Sequence, residues 1–136
     1  HSVDSLRLAK TVSQEAGKKG VTANILIEVN VAGEDSKFGV RPKETAALAE
    51  AISKLPNISV KGLMTIAPFV ENAEENREVF RNLRKLSVDI EEKKFNNVTM
   101  AVLSMGMTGD YEVAIEEGAT MVRVGTGIFG ERDYSK

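Results

Sequence analysis

A chain of 136 residues with 42% hydrophobic and 28% charged residues has the size and composition of one globular domain. Its 18 basic and 20 acidic side chains give a net charge of −2 and are spread along the chain, which argues against a nucleic-acid-binding surface. The lack of cysteine excludes disulfides and thiolate metal sites, and every apolar run is far shorter than the roughly 20 residues that cross a bilayer. We therefore expect a soluble cytoplasmic protein without a nucleic-acid or membrane partner.

The first half of the chain predicts helices that alternate with strands. Apolar residues recur at helical spacing in two segments, and β-branched apolar runs lie between them. Ser2 or Asp4 is the candidate N-cap of the first helix, and Pro42 suits the first turn of the second, where its missing N–H costs little. The predicted elements are a strand end at residues 1–5, a helix stopped by Gly17 and Gly20, a strand at residues 24–30, a helix from Pro42 to Pro56, and a strand at residues 60–66.

The second half continues the alternation. Its longest helical segment begins with an acidic run at residues 71–78, which we interpret as a solvated helix start favoured by the helix dipole. Gly118 can take the left-handed conformation that ends a helix. The predicted elements are a helix at residues 71–94 that buries Val79 or Phe80, Leu83, Leu86 and Ile90, a strand at residues 98–103, a helix at about residues 109–117, and a strand at residues 121–124.

This order of elements predicts an α/β fold with a parallel sheet, because consecutive parallel strands are joined by right-handed helical crossovers. Ligands of such sheets bind at the carboxyl ends of the strands. We therefore expect Asn30, residues 64–66, Ser104 and Gly125 to gather on one rim of the sheet.

Two stretches on this rim suggest a phosphate site: LSMGMT at residues 103–108 and VRVGTG at residues 122–127. Each places glycine or hydroxyl residues where an apolar strand ends, and a helical segment follows the first. Free backbone N–H groups at such a turn point outward and attract anions. A turn that only uses small capping residues is the competing interpretation. We interpret the two stretches as halves of one phosphate cup.

Six motifs follow one another over almost the whole chain. They are HSVDS at residues 1–5, IEVN at 27–30, SKFG at 36–39, GLMTI at 62–66, LSMGMTGD at 103–110 and RVGTGIFGER at 123–132. Together they closely resemble the pyridoxal phosphate homeostasis protein family. The resemblance implies a parallel (β/α) barrel like the N-terminal domain of alanine racemase. It also implies a protein that binds pyridoxal 5′-phosphate (PLP) and takes part in vitamin B6 homeostasis, without a catalytic reaction of its own.

In that family the lysine that forms the internal aldimine lies on the first barrel strand, and the resemblance places this strand and two more strand units before His1. A complete barrel needs about 200 to 250 residues. We therefore expect residues 1–136 to be the C-terminal portion of a single barrel domain, about the last five of its eight strands. A partial barrel exposes strand edges, so we expect it to self-associate or to pair with the missing N-terminal piece.

The resemblance also implies a set of cofactor-binding residues. Arg123 would lie near the pyridine nitrogen and, because a guanidinium stays protonated, would leave that nitrogen unprotonated and the cofactor a weak electron sink. Apart from the resemblance, the methionines at strand ends, Met64, Met105 and Met107, are candidates to line the cofactor ring, and of these we select Met64, although packing is the more usual role of methionine there. The implied phosphate contacts come from two neighbouring loops: Ser104, Gly106 and Met107 in one, Gly125 and Thr126 in the next. Phosphate or sulfate should be able to occupy the same cup.

Covalent attachment of the cofactor is not expected within residues 1–136. Lys37 lies in a polar loop beside two acidic residues, where a solvated ammonium is the better interpretation because lysine nucleophiles usually need desolvation. Lys61 lies in a predicted strand and fits either side of it. His1 is the only histidine, which excludes metal sites built on clustered imidazoles.

Two other functions fit the same sequence. A fold-related racemase or decarboxylase would need catalytic groups from a further domain or subunit. A generic sugar-phosphate-binding βα module would use the same cup without an aldehyde ligand.

Overall fold

The computed structural model describes residues 2–31, 39–68, 71–107 and 109–123. In these residues five parallel strands form one sheet in the order of the sequence, which confirms the predicted α/β class with a parallel sheet. The elements are β1 (Ser2–Val3), α1 (Leu6–Lys19), β2 (Ala23–Glu28), α2 (Pro42–Ser53), β3 (Ile58–Met64), a 3₁₀ turn (Ala73–Asn76), α3 (Arg77–Lys93), β4 (Val98–Met107), α4 (Tyr111–Glu116) and β5 (Met121–Arg123). A sequential parallel order is that of a barrel wall.

One face of the sheet packs against the helices. In β2, Ile25 and Ile27 are fully buried, and Leu26 and Glu28, which alternate with them, are only partly buried. The buried positions form one core with apolar side chains of the helices, among them Ala9, Ile52, Phe80, Leu83 and Ile90. We call the opposite side, which carries Glu28 and Met64, the inner face of the sheet. No helix in the described part of the chain is both long and apolar enough to cross a membrane.

The start of α1 differs from the prediction. Its N-cap is Ser5, whose hydroxyl accepts the Leu8 N–H at 3.1 Å, and not Ser2 or Asp4. The Asp4 carboxylate instead accepts the N–H of Gly39 at 3.2 Å and so ties β1 to the segment before α2. At the other end, the helix continues through Gly17 and stops at Gly20, which has a left-handed φ of 69°. Pro42 occupies the first turn of α2, as predicted.

The segment predicted as one helix at residues 71–94 is divided. A 3₁₀ turn precedes α3, because the Asn72 side chain accepts the Glu74 N–H and Asn76 is buried where the turn meets the helix. Within α3 the predicted inward residues Phe80, Leu83 and Ile90 are buried.

The strand β4 is longer than predicted, and α4 is shorter. The strand continues to Met107 because its second half pairs with β3 on one side and β5 on the other. As a result, Ser104, Gly106 and Met107 belong to a strand and not to a loop. The chain leaves α4 through Gly118 at a φ of +106°, as expected.

A β-bulge interrupts β3. Val60 pairs with Ile25 and Gly62 pairs with Leu26, so Lys61 is an extra residue in the strand. At this point the backbone of β4 comes very close, because a Cβ placed on Gly62 would lie 1.7 Å from the carbonyl oxygen of Val102. Only glycine fits this contact.

We predict that Gly62→Ala lowers the free energy of unfolding by about 3 kcal/mol, because the new methyl group forces β3 away from β4. Gly109→Ala is the matched control, since no atom of the described residues lies within 4 Å of a Cβ at that position. Urea unfolding of the two variants measures the difference. A Gly62→Ala protein within about 0.5 kcal/mol of the unchanged chain would contradict the prediction.

Candidate functional site

The carboxyl ends of the strands bring the described site residues together. Met64 and Ser104 are paired across β3 and β4, and this row of the sheet extends to Glu28 on one side and Met121 on the other. Paired residues of parallel strands project to the same face. Ser104 therefore shares the inner face with Met64, as the proposed rim requires.

Hydrogen bonds between strands hold this rim together. The Thr65 hydroxyl donates to the Val29 carbonyl at 2.6 Å, and the Thr65 N–H donates to the Ser104 carbonyl at 3.1 Å. The Val29 N–H donates to the Met64 carbonyl at 2.9 Å. These bonds cross-link β2, β3 and β4 where the strands end, so the position of Ser104 relative to Met64 is fixed by the backbone.

The rim combines a polar group with exposed apolar side chains. Ser104 is 3% exposed, and its hydroxyl can both donate and accept a hydrogen bond. Around it, Ile66, Met107 and Met121 are each about half exposed. An anion with an apolar body would find both kinds of contact here.

Gly106 has a structural reason to be glycine. Its φ is +102°, which residues with a side chain rarely adopt, and a Cβ would lie 2.6 Å from the Cβ of Ala114. The missing side chain therefore lets α4 pack against the end of β4.

Met107 does not present a free backbone N–H. That N–H donates to Asp110 Oδ1 at 2.7 Å, and the Asp110 N–H donates back to the Met107 carbonyl at 3.0 Å. Moreover, α4 comprises only six residues, so its dipole adds little to an anion site. The expectation of outward-pointing N–H groups is therefore wrong for Met107, and the role that the family resemblance assigns to this residue stays a prediction.

The structure describes only some of the remaining predicted residues. The backbone of Arg123 lies in β5 opposite Met107. Lys61 is the half-buried extra residue of the β3 bulge, three residues before Met64 and so about 10 Å from the rim. His1, Lys37, Gly125 and Thr126 lie outside the described residues.

Sequence reasoning missed two residues of this region, Asn76 and Asp110. Asn76 is 1% exposed, although it lies within the acidic run at residues 71–78, which we interpreted as solvated. Asp110 could have been identified from the sequence, because an aspartate directly before a helical segment is a frequent capping residue.

Two residues of the acidic run at residues 71–78, Glu74 and Arg77, belong to an ion-pair cluster. The Arg77 guanidinium lies 2.8 Å from Glu74, 2.6 Å from Glu116 and 2.8 Å from Glu117, and it joins α3 to α4. Hydrogen bonds from Arg77, and then from Arg81, lower the pKa of Glu117. The bond from Arg77 likewise lowers the pKa of Glu74, and together the three carboxylates raise the pKa of Arg77. In the described part of the chain, no group of three or more acidic, histidine or cysteine residues could hold a metal ion.

Comparison with known proteins supports the family resemblance. The model of the alanine racemase N-terminal domain family matches residues 1–133. The protein of Aquifex aeolicus named pyridoxal phosphate homeostasis protein is 49% identical over 134 residues, which are 98% of this chain and 58% of that protein. The chain therefore spans little more than half the length of this curated relative.

Solved structures agree with this result. The structure of PipY from Synechococcus elongatus with PLP bound matches with a TM-score of 0.85 at 33% identity, over 96% of this chain and 59% of PipY. Alanine racemase of Clostridium difficile matches with a TM-score of 0.75 at 19% identity, over 98% of this chain and 36% of the enzyme, which shows a common fold. The partial barrel of the alanine racemase type is thereby confirmed.

We predict that the stability of the chain falls as the pH drops below about 4.5, the ordinary pKa of Glu117. The folded state keeps Glu117 and Glu74 charged at a pH where the unfolded chain already binds protons, so acid favours unfolding. Glu117→Gln should make the fall in the urea midpoint between about pH 5 and pH 3 shallower.

The control for this experiment is Glu112→Gln. Glu112 is an exposed residue of α4, the helix that ends directly before Glu117, and it has no ion pair to any described residue. It should leave the pH dependence unchanged. Equal slopes for Glu117→Gln and the unchanged chain would refute a role of Arg77 and Glu117 in acid stability.

Proposed function

The chain belongs to the alanine racemase N-terminal domain family, and we propose that it is the C-terminal portion of the single (β/α)₈ barrel of a pyridoxal phosphate homeostasis protein. PLP would bind at the carboxyl ends of β3, β4 and β5. The observation that carries this proposal is the paired position of Met64 and Ser104 on the inner face, in a chain 33% identical to a protein solved with PLP bound.

The residues at the rim fit this ligand. Ser104 offers a hydroxyl to the phosphate, and Met64 offers an apolar wall to the ring in the adjacent strand. Arg123 would lie near the pyridine nitrogen. The other phosphate contacts proposed from the family resemblance are those of Gly106, Met107, Gly125 and Thr126. When bound, PLP supplies an aldehyde and an electron-withdrawing ring.

We propose that binding, and not catalysis, is the role of this site. An arginine at the pyridine nitrogen would keep that nitrogen unprotonated and so make the cofactor a weak electron sink. The common fold with alanine racemase, at 19% identity, does not carry an activity with it. The curated relative bears the name of a homeostasis protein.

The location and the partners of the chain are also proposals. The cytoplasm suits a cysteine-free sequence. Within the described residues, β1 has β2 as its single neighbour in the sheet, and Leu8 and Val21 beside it are 42% and 52% exposed. This open edge supports pairing with the N-terminal part of the barrel or with a second copy.

We predict that Ser104→Ala weakens binding of PLP to the 136-residue chain about tenfold, because one hydrogen bond to a charged phosphate is lost. Isothermal titration with PLP and with pyridoxal, which lacks the phosphate, measures the effect. Binding of pyridoxal should not change. The matched control is Ser59→Ala, a serine at the opposite end of β3.

Equal affinity for PLP and pyridoxal would show that the phosphate does not contribute to binding and would contradict the proposed phosphate cup. We expect the bound PLP to be lost on dialysis, since covalent attachment is not expected in this chain. Mass spectrometry after borohydride reduction tests this point, and a stoichiometric phosphopyridoxyl adduct on Lys37 or Lys61 would contradict it.

A further inference from the structure

A buried side-chain bridge joins the segments that surround the rim. Asn76, the last residue of the 3₁₀ turn, is 1% exposed. Its Nδ2 donates to the Pro68 carbonyl at 3.0 Å and to Asp110 Oδ2 at 2.9 Å, which uses both hydrogens of the amide. Asn76 therefore links the segment after β3 to the turn between β4 and α4.

Asp110 continues this bridge to the end of β4. Its Oδ1 accepts the N–H of Met107 at 2.7 Å, while its Oδ2 is held by Asn76. The N–H of Met107 and the carbonyl of Gly106 belong to the same planar trans peptide. By holding the N–H, Asp110 therefore also sets the direction of the Gly106 carbonyl.

The peptide that Asp110 holds follows the least restricted residue of the strand. Gly106 has a φ of +102° and no side chain, and glycine populates positive and negative φ about equally. Packing of Ala114 excludes a side chain there but does not by itself fix the peptide plane. The hydrogen bond from Met107 to Asp110 supplies that restraint.

We propose that Asn76 and Asp110 are positioning residues of the rim anion site. Asp110 fixes the peptide between Gly106 and Met107, and Asn76 fixes Asp110. The inference rests on the proposed function. Because the Met107 N–H is taken by Asp110, the group of β4 that would meet the phosphate of PLP is the Ser104 hydroxyl, and the fixed peptide holds the end of the strand that carries it. A carboxylate near an anion site repels the anion, so the presence of Asp110 is explained by its hydrogen bonds and not by its charge.

Substitution of Asp110 separates these two effects by their sign. If only charge mattered, Asp110→Ala and Asp110→Asn would bind inorganic phosphate and PLP more tightly, because a negative charge is removed. Positioning predicts the reverse. Asp110→Ala, which loses both hydrogen bonds, should bind both ligands about tenfold more weakly. Asp110→Asn should show a smaller loss, because its Oδ1 still accepts the Met107 N–H while its amide faces the amide of Asn76. Asn76→Ala changes no charge and should weaken binding to a similar extent.

Isothermal titration of the 136-residue chain with inorganic phosphate and with PLP, and urea unfolding of each variant, provide the readouts. Ser13→Ala is the stability control, because Ser13 is 4% exposed and its hydroxyl donates to the Pro56 carbonyl at 2.5 Å, at the amino end of β3. It should lower the unfolding midpoint without changing the affinity for phosphate. If Asn76→Ala does not fold, Asp110→Asn decides.

Two results would overturn the inference. One is an affinity for phosphate and PLP that stays the same or rises in the Asp110 variants and stays within twofold in Asn76→Ala, while stability falls as in Ser13→Ala. The second result concerns the case in which the unchanged chain binds neither ligand, so that the proposed function fails independently of the inference. In that case the positioning role of Asn76 and Asp110 is tested by the amide hydrogen exchange of Met107 and the amide resonance of Gly106. Both signals should change in Asp110→Ala and Asn76→Ala but not in Ser13→Ala. Unchanged signals in the first two variants would refute positioning.

Discussion

The β-bulge in β3 decides which side chains reach the rim. Before the bulge, the even-numbered residues of β3 pack under the helices, and after it the odd-numbered residues do. The extra residue, Lys61, causes this change, because a shift of one position turns every later side chain to the other face. Without the bulge, Met64 would face the helices. The composition of the site thus depends on the close contact between Gly62 and the backbone of Val102.

The end of β4 shows how packing and binding geometry are combined in one short segment. Gly106 allows α4 to lie against the strand, and the same lack of a side chain leaves its peptide poorly restrained. Asp110 and Asn76 supply the restraint through hydrogen bonds. The bond from Asn76 is partly shielded from water, since Asn76 is almost fully buried, whereas the bond from Met107 to Asp110 lies at the surface. Buried polar groups of this kind are costly when any one partner is removed. Stability of the turn and geometry of the rim are therefore expected to share the same bonds.

The elements of the fold were predictable because they depend on local patterns. Helical spacing of apolar residues, the cap at Gly20 and the position of Pro42 are properties of short segments. The position of the bulge at Lys61 was not predictable, because it exists only through the register with β2. The sequence shows only that Gly62 interrupts the predicted strand. The burial of Asn76 was not predictable for a similar reason. Its burial results from Pro68 and from Asp110, 34 residues later, and the acidic neighbours suggested a solvated surface.

The charge around the rim indicates what kind of anion site this is. Glu28 lies in the same row of the sheet as Met64 and Ser104, and Asp110 lies beyond the end of β4. With a net charge of −2, the chain has no general attraction for a phosphate, so affinity has to come from directed hydrogen bonds and from contact with the apolar side chains at the rim. Directed bonds act only at the correct distance and angle, whereas attraction by diffuse charge tolerates displacement. A site of this type therefore depends on the residues that fix its backbone. A neighbouring carboxylate such as that of Asp110 is compatible with anion binding when its hydrogen bonds fix the backbone of the site.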